Sequence, residues 1–576
     1  MPTIELKISD LESLLFETVD EARLALLLEK VKGEVKAFNR KEDITKLELN
    51  DTNRPDLWCP EGIVRQIKSS QNNRYPFFDQ ASPVDHRVSV SNDVTPVRPY
   101  LAACTVTGLV VTHTILTQLI QFQEKMSDTF GRKRKTLSVG LYRLQKIVFP
   151  VHYGLADPDA IRFVPLGFDR SLSLREILIE HPKGKRYADI LNETDRYPLL
   201  TDAKGQILSF PPIINSREVG EVQEGDSELF VEVTGTDLRM VVLALNIFAC
   251  NLFDRGGVLR PVTIEYPHET ALGKQLKCPL HLHRGHVVPL KMEDVQKVLG
   301  EAIPCQETML LLERYGYTVL LKEEGLLHLT PPPYREDVMH SVDVIEDIAI
   351  SRGFGSFQPK MPSTFTIGGL SSLENDSDQI RNEMIGLGFC EIVSNILGSK
   401  DDFLARMRRD AITLGGIVEI ENPMNERFSF LRPSLLPSLL RVEEASSGAF
   451  YPHRIFEVGE WVQWADTTES SKTIKTGIGL AGIFSNPTIS FSDLHAVLNL
   501  LFFRLSCPYD LEPVDHPTFI EGRSGHIMVE GMAMGVIGEI HPEVLSRWHI
   551  GMPTVAFEIY DIEQVIRSGG CTISNH

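Results

Sequence analysis

The chain has 576 residues, 42% of them hydrophobic and 24% charged, and carries a formal net charge of −20. That length exceeds what one core supports and, at about 150 residues per domain, predicts several. The composition excludes a fibrous or disordered chain, and the acidic balance excludes one that coats nucleic acid by bulk electrostatics, because such footprints are basic.

Eight cysteines are scattered without a CxxC pair or a disulfide-like framework, which fits a reducing cytoplasm. The longest apolar run, Met240 to Phe253, has 14 residues and is broken by Asn246 and Asn251, too short and too polar to span a bilayer. The first residues, MPTIELKISD, lack the basic-then-apolar pattern of an export signal. The expectation is a cytoplasmic protein without membrane attachment.

Residues 1–87 read as a small α+β module, with helical periodicity over 11–31. Within it, Asn53-Arg54-Pro55-Asp56 reads as a turn into a helix: Pro55 fixes its own φ and Asp56 is a candidate cap. Residues 88–270 form a second, strand-heavy domain, rich in β-branched segments such as Cys104 to Thr112. A helix is expected over 114–129. The basic cluster Gly131-Arg132-Lys133-Arg134-Lys135 that follows fits either a phosphate contact or a solvated turn. Further on come His181-Pro182-Lys183-Gly184, Tyr197-Pro198-Leu199-Leu200, Ile207 to Ser216, and Leu229 to Asp237. Taken alone, the last reads as a strand ending in a glycine turn. Met240 to Gly256 reads as a buried helix with a glycine stop.

Residues 271–360 form a third module. Cys278, His281, His283 and His286 raise the question of zinc, but their spacing is not a recognised zinc pattern, and alternating His/Leu also describes a plain strand. A strand at 286–290, helices at 291–300 and 305–316, a hairpin over 317–330 and a final acidic helix suggest a winged-helix-like unit. On that last helix, at about 100° per residue, Val342, Ile345, Ile348 and Ala349 share one side, with Asp343, Glu346 and Asp347 on an adjoining arc. Asp337 precedes them in the loop. Four carboxylates near one point suit a hard cation, Mg²⁺. Acids in a first turn also simply favour the helix dipole, with Ser341 or Asp343 as N-cap.

Residues 361–576 read as α/β with a predominantly antiparallel character, opening with a helix at 375–387 and a strand from Glu391 to Leu397. Neither a GxxxxGK[ST] nor a GxGxxG segment is present to hold a nucleotide.

Several of these stretches together carry a resemblance. Asp51 to Leu57 with Glu61 to Arg65, the four segments of the second domain, Arg335 to Phe354, and Leu431 to Leu440 with Ile455 to Gly459 and Gly538 to Glu543 resemble the phenylalanyl-tRNA synthetase beta subunit of archaeal and eukaryotic type. The resemblance runs in order over nearly the whole chain. It implies an α+β multidomain protein: a strand-rich editing domain, a winged-helix-like module, and a C-terminal degenerate class II synthetase-like antiparallel α/β domain forming the subunit interface. The length matches the archaeal form.

It further implies that Asp337, Asp343, Glu346 and Asp347 bind Mg²⁺. Leu200, Ser209, Asn215, Glu232 and Thr234 would line an editing pocket that hydrolyses tyrosine wrongly attached to tRNA(Phe), with Glu232 meeting the tyrosine hydroxyl and Ser209 or Thr234 positioning water or the ester. The family more often carries Asp where Glu232 stands. A pocket for phenylalanine rejects a near-isostere with one added hydroxyl by only about 100-fold, which is why a second, hydrolytic site is needed. ATP and phenylalanine would be bound by an alpha subunit in an α2β2 assembly. The motif that pairs Arg with Glu for the α-phosphate of ATP and the late Gly-rich segment ending in Arg are both missing from this chain. Two rivals are a scaffold paralogue that has lost editing and a stand-alone metal-dependent hydrolase using the four carboxylates. The latter lacks an accompanying nucleophile or phosphate loop. No DNA is expected as a partner.

Overall fold

The segment Leu238–Asp254, LRMVVLALNIFACNLFD, has almost no polar face, so the helix it forms must be buried nearly all round. Leu243, Leu245, Ile247 and Phe248 are all within 1% of complete burial. Asp237 caps it by accepting from the Met240 N–H, and Gly256, at φ 90°, ends it as the glycine stop predicts. The computed structural model describes residues 2–71, 86–191, 194–280, 287–410, 416–465 and 473–569. It divides into two compact units, 1–361 and 362–576.

In the first unit this helix packs on a ten-stranded sheet. The strand path is Ile214–Asn215, Ile207–Phe210, Tyr197–Thr201, Val151–Ala156, His86–Val90, Val258–Glu265, Tyr100–Thr107, Glu228–Gly235 and Leu137–Arg143, with Gln275–Cys278 paired beside Val258–Glu265. His86–Val90 runs parallel to both neighbours, and the other pairs are antiparallel. The two ends of the path curl toward each other. The Asn215 Nδ2 donates to the Leu141 carbonyl at 3.2 Å, joining the first strand of the path to the last.

The N-terminal residues form a three-stranded sheet, in the order Thr3–Lys7, Ile44–Leu49, Gly33–Asn39, against helices Ile8–Leu15, Glu21–Leu28 and Pro60–Gln71. The helical stretch expected over 11–31 is thus two helices, broken where Phe16 turns left-handed at φ 60° and Asp20 starts the second by capping Arg23. Asp56 does not cap a helix either. Its carboxylate is taken by Arg54, at 2.8 and 2.7 Å, inside the core. Two helices of this module are tied to the buried helix by polar contacts: Arg65 donates to Asn251 (2.6 Å) and Asp254 (2.8 Å), and Arg255 pairs with Asp10 and Glu61.

Residues 288–352 hold a three-stranded antiparallel sheet, Val288–Lys291, Leu326–Thr330, Thr318–Glu323, flanked by helices Met292–Leu299, Cys305–Arg314 and Ser341–Arg352. Cys278 is buried at the end of a strand and burial pushes its thiol up to about 12. His281, His283 and His286 lie outside the described residues.

The second unit is built on a seven-stranded sheet, Cys390–Glu391, His453–Trp464, Ile474–Ser485, Thr554–Ile559, Met532–Ile540, Phe519–Val529, Asp510–Pro513, antiparallel except for the first pair. The strand expected from Glu391 to Leu397 is not continuous. After Glu391 the Ser394 N–H and hydroxyl turn to the Glu457 carboxylate, at 3.2 and 2.6 Å, in place of a ladder partner. That same carboxylate pairs with buried Arg432 at 2.7 Å, so two of the segments singled out by sequence meet in one ion pair.

Candidate functional site

A cavity of about 260 Å³ opens where the two ends of the ten-stranded sheet approach. Its walls include Glu232 from Glu228–Gly235, Ser138, Gly140 and Tyr142 from Leu137–Arg143, and Ser209 and Asn215 from the opposite end of the sheet. Residues i and i+2 of a strand share a face, which is why Ser138, Gly140 and Tyr142 all look inward. The register places Glu232 directly opposite Gly140 and Thr234 opposite Ser138.

Gly140 is required there. A Cβ at that position would lie 2.2 Å from Glu232 Oε2 and 2.3 Å from the Tyr142 hydroxyl, so both side chains occupy the space that a larger residue would fill. The Tyr142 oxygen is 2.8 Å from Ser209 Oγ and 3.1 Å from Glu232 Oε2. Burial pushes the Glu232 carboxyl up to about 7, against the opposing pull of the Tyr142 hydroxyl, the Arg98 charge and the Gly140 backbone N–H. A carboxyl poised there changes protonation across the physiological range and is a strong acceptor when ionised.

Thr234 acts from one layer behind the wall. Its hydroxyl accepts from Arg98 Nε at 3.0 Å and lies 3.2 Å from Ser138 Oγ, and it is Ser138 that faces the cavity. Arg98 is itself buried and donates onward to Ser138 (3.1 Å) and to the Thr234 carbonyl (2.6 Å). Leu200 pairs opposite Ser209 and is fully buried in the core behind the wall, away from the cavity lining. The structure therefore brings Ser209, Asn215 and Glu232 to one cavity and sets Thr234 and Leu200 behind it.

The rim is charged. Lys183, from the His181-Pro182-Lys183-Gly184 segment, and Arg134 both pair with Glu124, at 2.7 and 3.0 Å. Arg134 is thus not an exposed phosphate contact. It is buried, and its guanidinium also donates to the Pro212 and Ile213 carbonyls at 2.9 Å each. Sequence reading missed Tyr142, Gly140 and Arg98. A glycine inside a strand pattern, Leu137-Ser138-Val139-Gly140-Leu141-Tyr142, is the one local signal of a close approach at this place.

The acidic helix places its four carboxylates differently from the expected convergence. Asp337 and Asp347 flank the buried Arg335, which lies 3.0 Å from Asp337 Oδ1 and 2.5 Å from Asp347 Oδ2, and Tyr317 also donates to Asp347. Burial raises Asp337, but the Arg335 and Arg54 charges overcome it and hold the carboxyl at about 2. Asp343 accepts from the Met339 and His340 N–H groups at 2.8 and 2.7 Å, so His340, not Ser341 or Asp343, is the N-cap residue. Glu346 is exposed and pairs with Lys32 at 2.8 Å. Val342 is 59% exposed while Asp347 is 3% exposed. The helix is covered on two sides, so the buried arc reaches around to Asp347. Among the described residues no three His, Cys, Asp or Glu side chains gather as a metal site. As they stand the four do not form one ligand set, and an arginine sits between two of them.

Comparison with known proteins decides the family. Residues 288–354 match the model of the tRNA synthetase B5 domain, and residues 358–560 match that of the phenylalanyl tRNA synthetase beta chain CLM domain. The phenylalanine–tRNA ligase beta subunit of Borrelia recurrentis (strain A1) is 36% identical over 97% of this chain and 99% of its own length. The chain belongs to the phenylalanine–tRNA ligase beta-subunit family. The beta subunit of Borreliella burgdorferi (strain ZS7) is 38% identical over 92% of this chain and 94% of its own. Among solved structures, an N-terminal fragment of the phenylalanyl-tRNA synthetase beta subunit from Pyrococcus horikoshii is 32% identical, covers 61% of this chain and 99% of the fragment, and superposes with a TM-score of 0.56. No helix among the described residues is long and apolar enough to cross a membrane.

Proposed function

We propose that this chain carries the hydrolytic editing site of a phenylalanine–tRNA ligase of archaeal and eukaryotic type, acting on tyrosine mis-attached to tRNA(Phe). The observation that carries the reading is the convergence of Glu232, Ser209 and Asn215 on one cavity. A buried carboxylate with a hydroxyl beside it offers an acceptor to a phenol and leaves the corresponding place unsatisfied for phenylalanine, which lacks the hydroxyl. Ser209 and Ser138 are the hydroxyls available to orient water or the ester.

In the same reading the cytoplasmic assembly is α2β2, the alpha subunit binds ATP and phenylalanine, and the C-terminal unit of this chain is the degenerate class II-like scaffold that meets it. The test is deacylation of tyrosyl-tRNA(Phe) by the complex with its alpha subunit. The wild type is expected to clear the ester, and Glu232→Ala to lower the rate on the order of 100-fold. A wild-type complex that leaves the ester intact would mean a scaffold without editing.

For Mg²⁺, Asp343 and Glu346 are the carboxylates not held by Arg335, and we propose that these two serve the ion, completed by water or by the alpha subunit. The metal content of the purified complex checks this: Asp343→Ala with Glu346→Ala is expected to lose bound magnesium and to weaken assembly. Undiminished magnesium in that variant rules the assignment out.

A further inference from the structure

The interior of the cavity holds one group that the editing reading does not use. Tyr142 is fully buried, and its hydroxyl is the link between the carboxylate and the serine on opposite walls. A phenol has a single proton to donate and lone pairs to accept with. When Glu232 is ionised, Tyr142 donates to Oε2 and accepts from Ser209, giving a directed chain from Ser209 through Tyr142 to Glu232. Its ring is held against Phe230, with centroids 5.7 Å apart, and Gly140 beneath leaves the room.

We infer that Tyr142 is a positioning residue of this pocket: by joining Glu232 to Ser209 it fixes the carboxylate that selects a substrate phenol. The inference rests on the editing reading and deepens it. A glutamate side chain has one more rotatable bond than the aspartate the resemblance leads one to expect, and an acceptor that swings freely selects poorly. Tyr142 removes that freedom. It does not touch the scissile ester in this scheme and is not a catalytic residue.

The same link sets the pH response. The groups facing Glu232 are Tyr142 on the neighbouring strand, Arg98 from the segment before Tyr100–Thr107, and Tyr153, whose hydroxyl donates to the Arg98 carbonyl at 2.9 Å. The remaining charged lining is Glu124, Arg134, Lys183 and Glu221. Burial raises Glu232 and the Tyr142 hydroxyl lowers it, so removing that hydroxyl moves ionisation of the pocket to higher pH.

The experiment is deacylation of tyrosyl-tRNA(Phe) and phenylalanyl-tRNA(Phe) by the full complex as a function of pH, with Tyr142→Phe checked for normal assembly by gel filtration. The expected result is a loss of tyrosine-over-phenylalanine selectivity of about tenfold to a hundredfold, with the acidic limb of the profile shifted upward. Glu232→Asp, which withdraws the carboxylate from the phenol, is expected to alter the same limb by itself and to reduce the further effect of Tyr142→Phe to within about twofold. Unchanged selectivity and an unchanged limb in Tyr142→Phe, beside an active wild type, overturn the role of Tyr142 alone, as do additive effects of the two substitutions. An inactive wild type overturns the editing reading and this role with it.

Discussion

Replacing Gly140 by alanine is expected to lower deacylation of tyrosyl-tRNA(Phe) by the complex on the order of 100-fold, a loss comparable to removing one oriented polar group from an active site. The reason is space. The new Cβ would overlap the Glu232 carboxylate and the Tyr142 hydroxyl at 2.2 and 2.3 Å, so both side chains would have to shift into the cavity they line. Alanine is tolerated in a strand, and Gly140 has no left-handed φ to lose, so the sheet pairing with Glu228–Gly235 should survive. Rate measurement on the assembled variant, with circular dichroism to confirm its secondary structure, is the check. Deacylation within a factor of two of wild type would show that neither Glu232 nor Tyr142 has to be where the structure puts it.

The second large effect is on stability. Arg335→Met should destabilise the chain by about 3–5 kcal/mol, because it strands two buried carboxylates, Asp337 and Asp347, without their shared cation. Arg335 also stands over the rings of Tyr315 and Tyr317, at 5.7 and 5.6 Å, and that contact goes with it. The comparison variant is Glu5→Ala, whose ion pair with Lys46 is half exposed on both sides and should cost under about 1 kcal/mol. Denaturant unfolding of the two variants separates them. Equal midpoints would mean that the buried pairs are no more important than a surface bridge.

The elements with strong local signals were legible from sequence. The buried helix expected over Met240–Gly256 appears as Leu238–Asp254, and the third module appears with its strands, two short helices and hairpin in order, because apolar periodicity, capping residues and glycine stops act within a few residues of each other. The misses have a shared cause. Asp56 as a cap, Asp347 on one arc with Asp343 and Glu346, the basic cluster around Arg134 as a phosphate contact or a solvated turn, and the strand from Glu391 to Leu397 all depended on a partner outside the local pattern, respectively Arg54 packed in the core, Arg335 with Tyr317, Glu124 with the 212–213 carbonyls, and Glu457.

The candidate site divides in the same way. Ser209, Asn215 and Glu232 came through family-like segments and do meet at one cavity. Tyr142 and Gly140 lie in a stretch with no motif, and only the cross-strand register, which a single sequence does not fix, reveals that they face Glu232.

The charged ties between the N-terminal helices and the long buried helix bear on how the unit unfolds. Arg65 reaches Asp254, and Arg255 reaches back to Asp10 and Glu61, all with little solvent around them. Pulling the first module away would expose Asp254 and Arg255 together at the end of the helix that packs on the pocket's sheet. The module is therefore not an appendage that melts by itself. Its unfolding and that of the pocket's own sheet should occur as one cooperative step, and damage near residue 10 or 61 would be felt at the pocket.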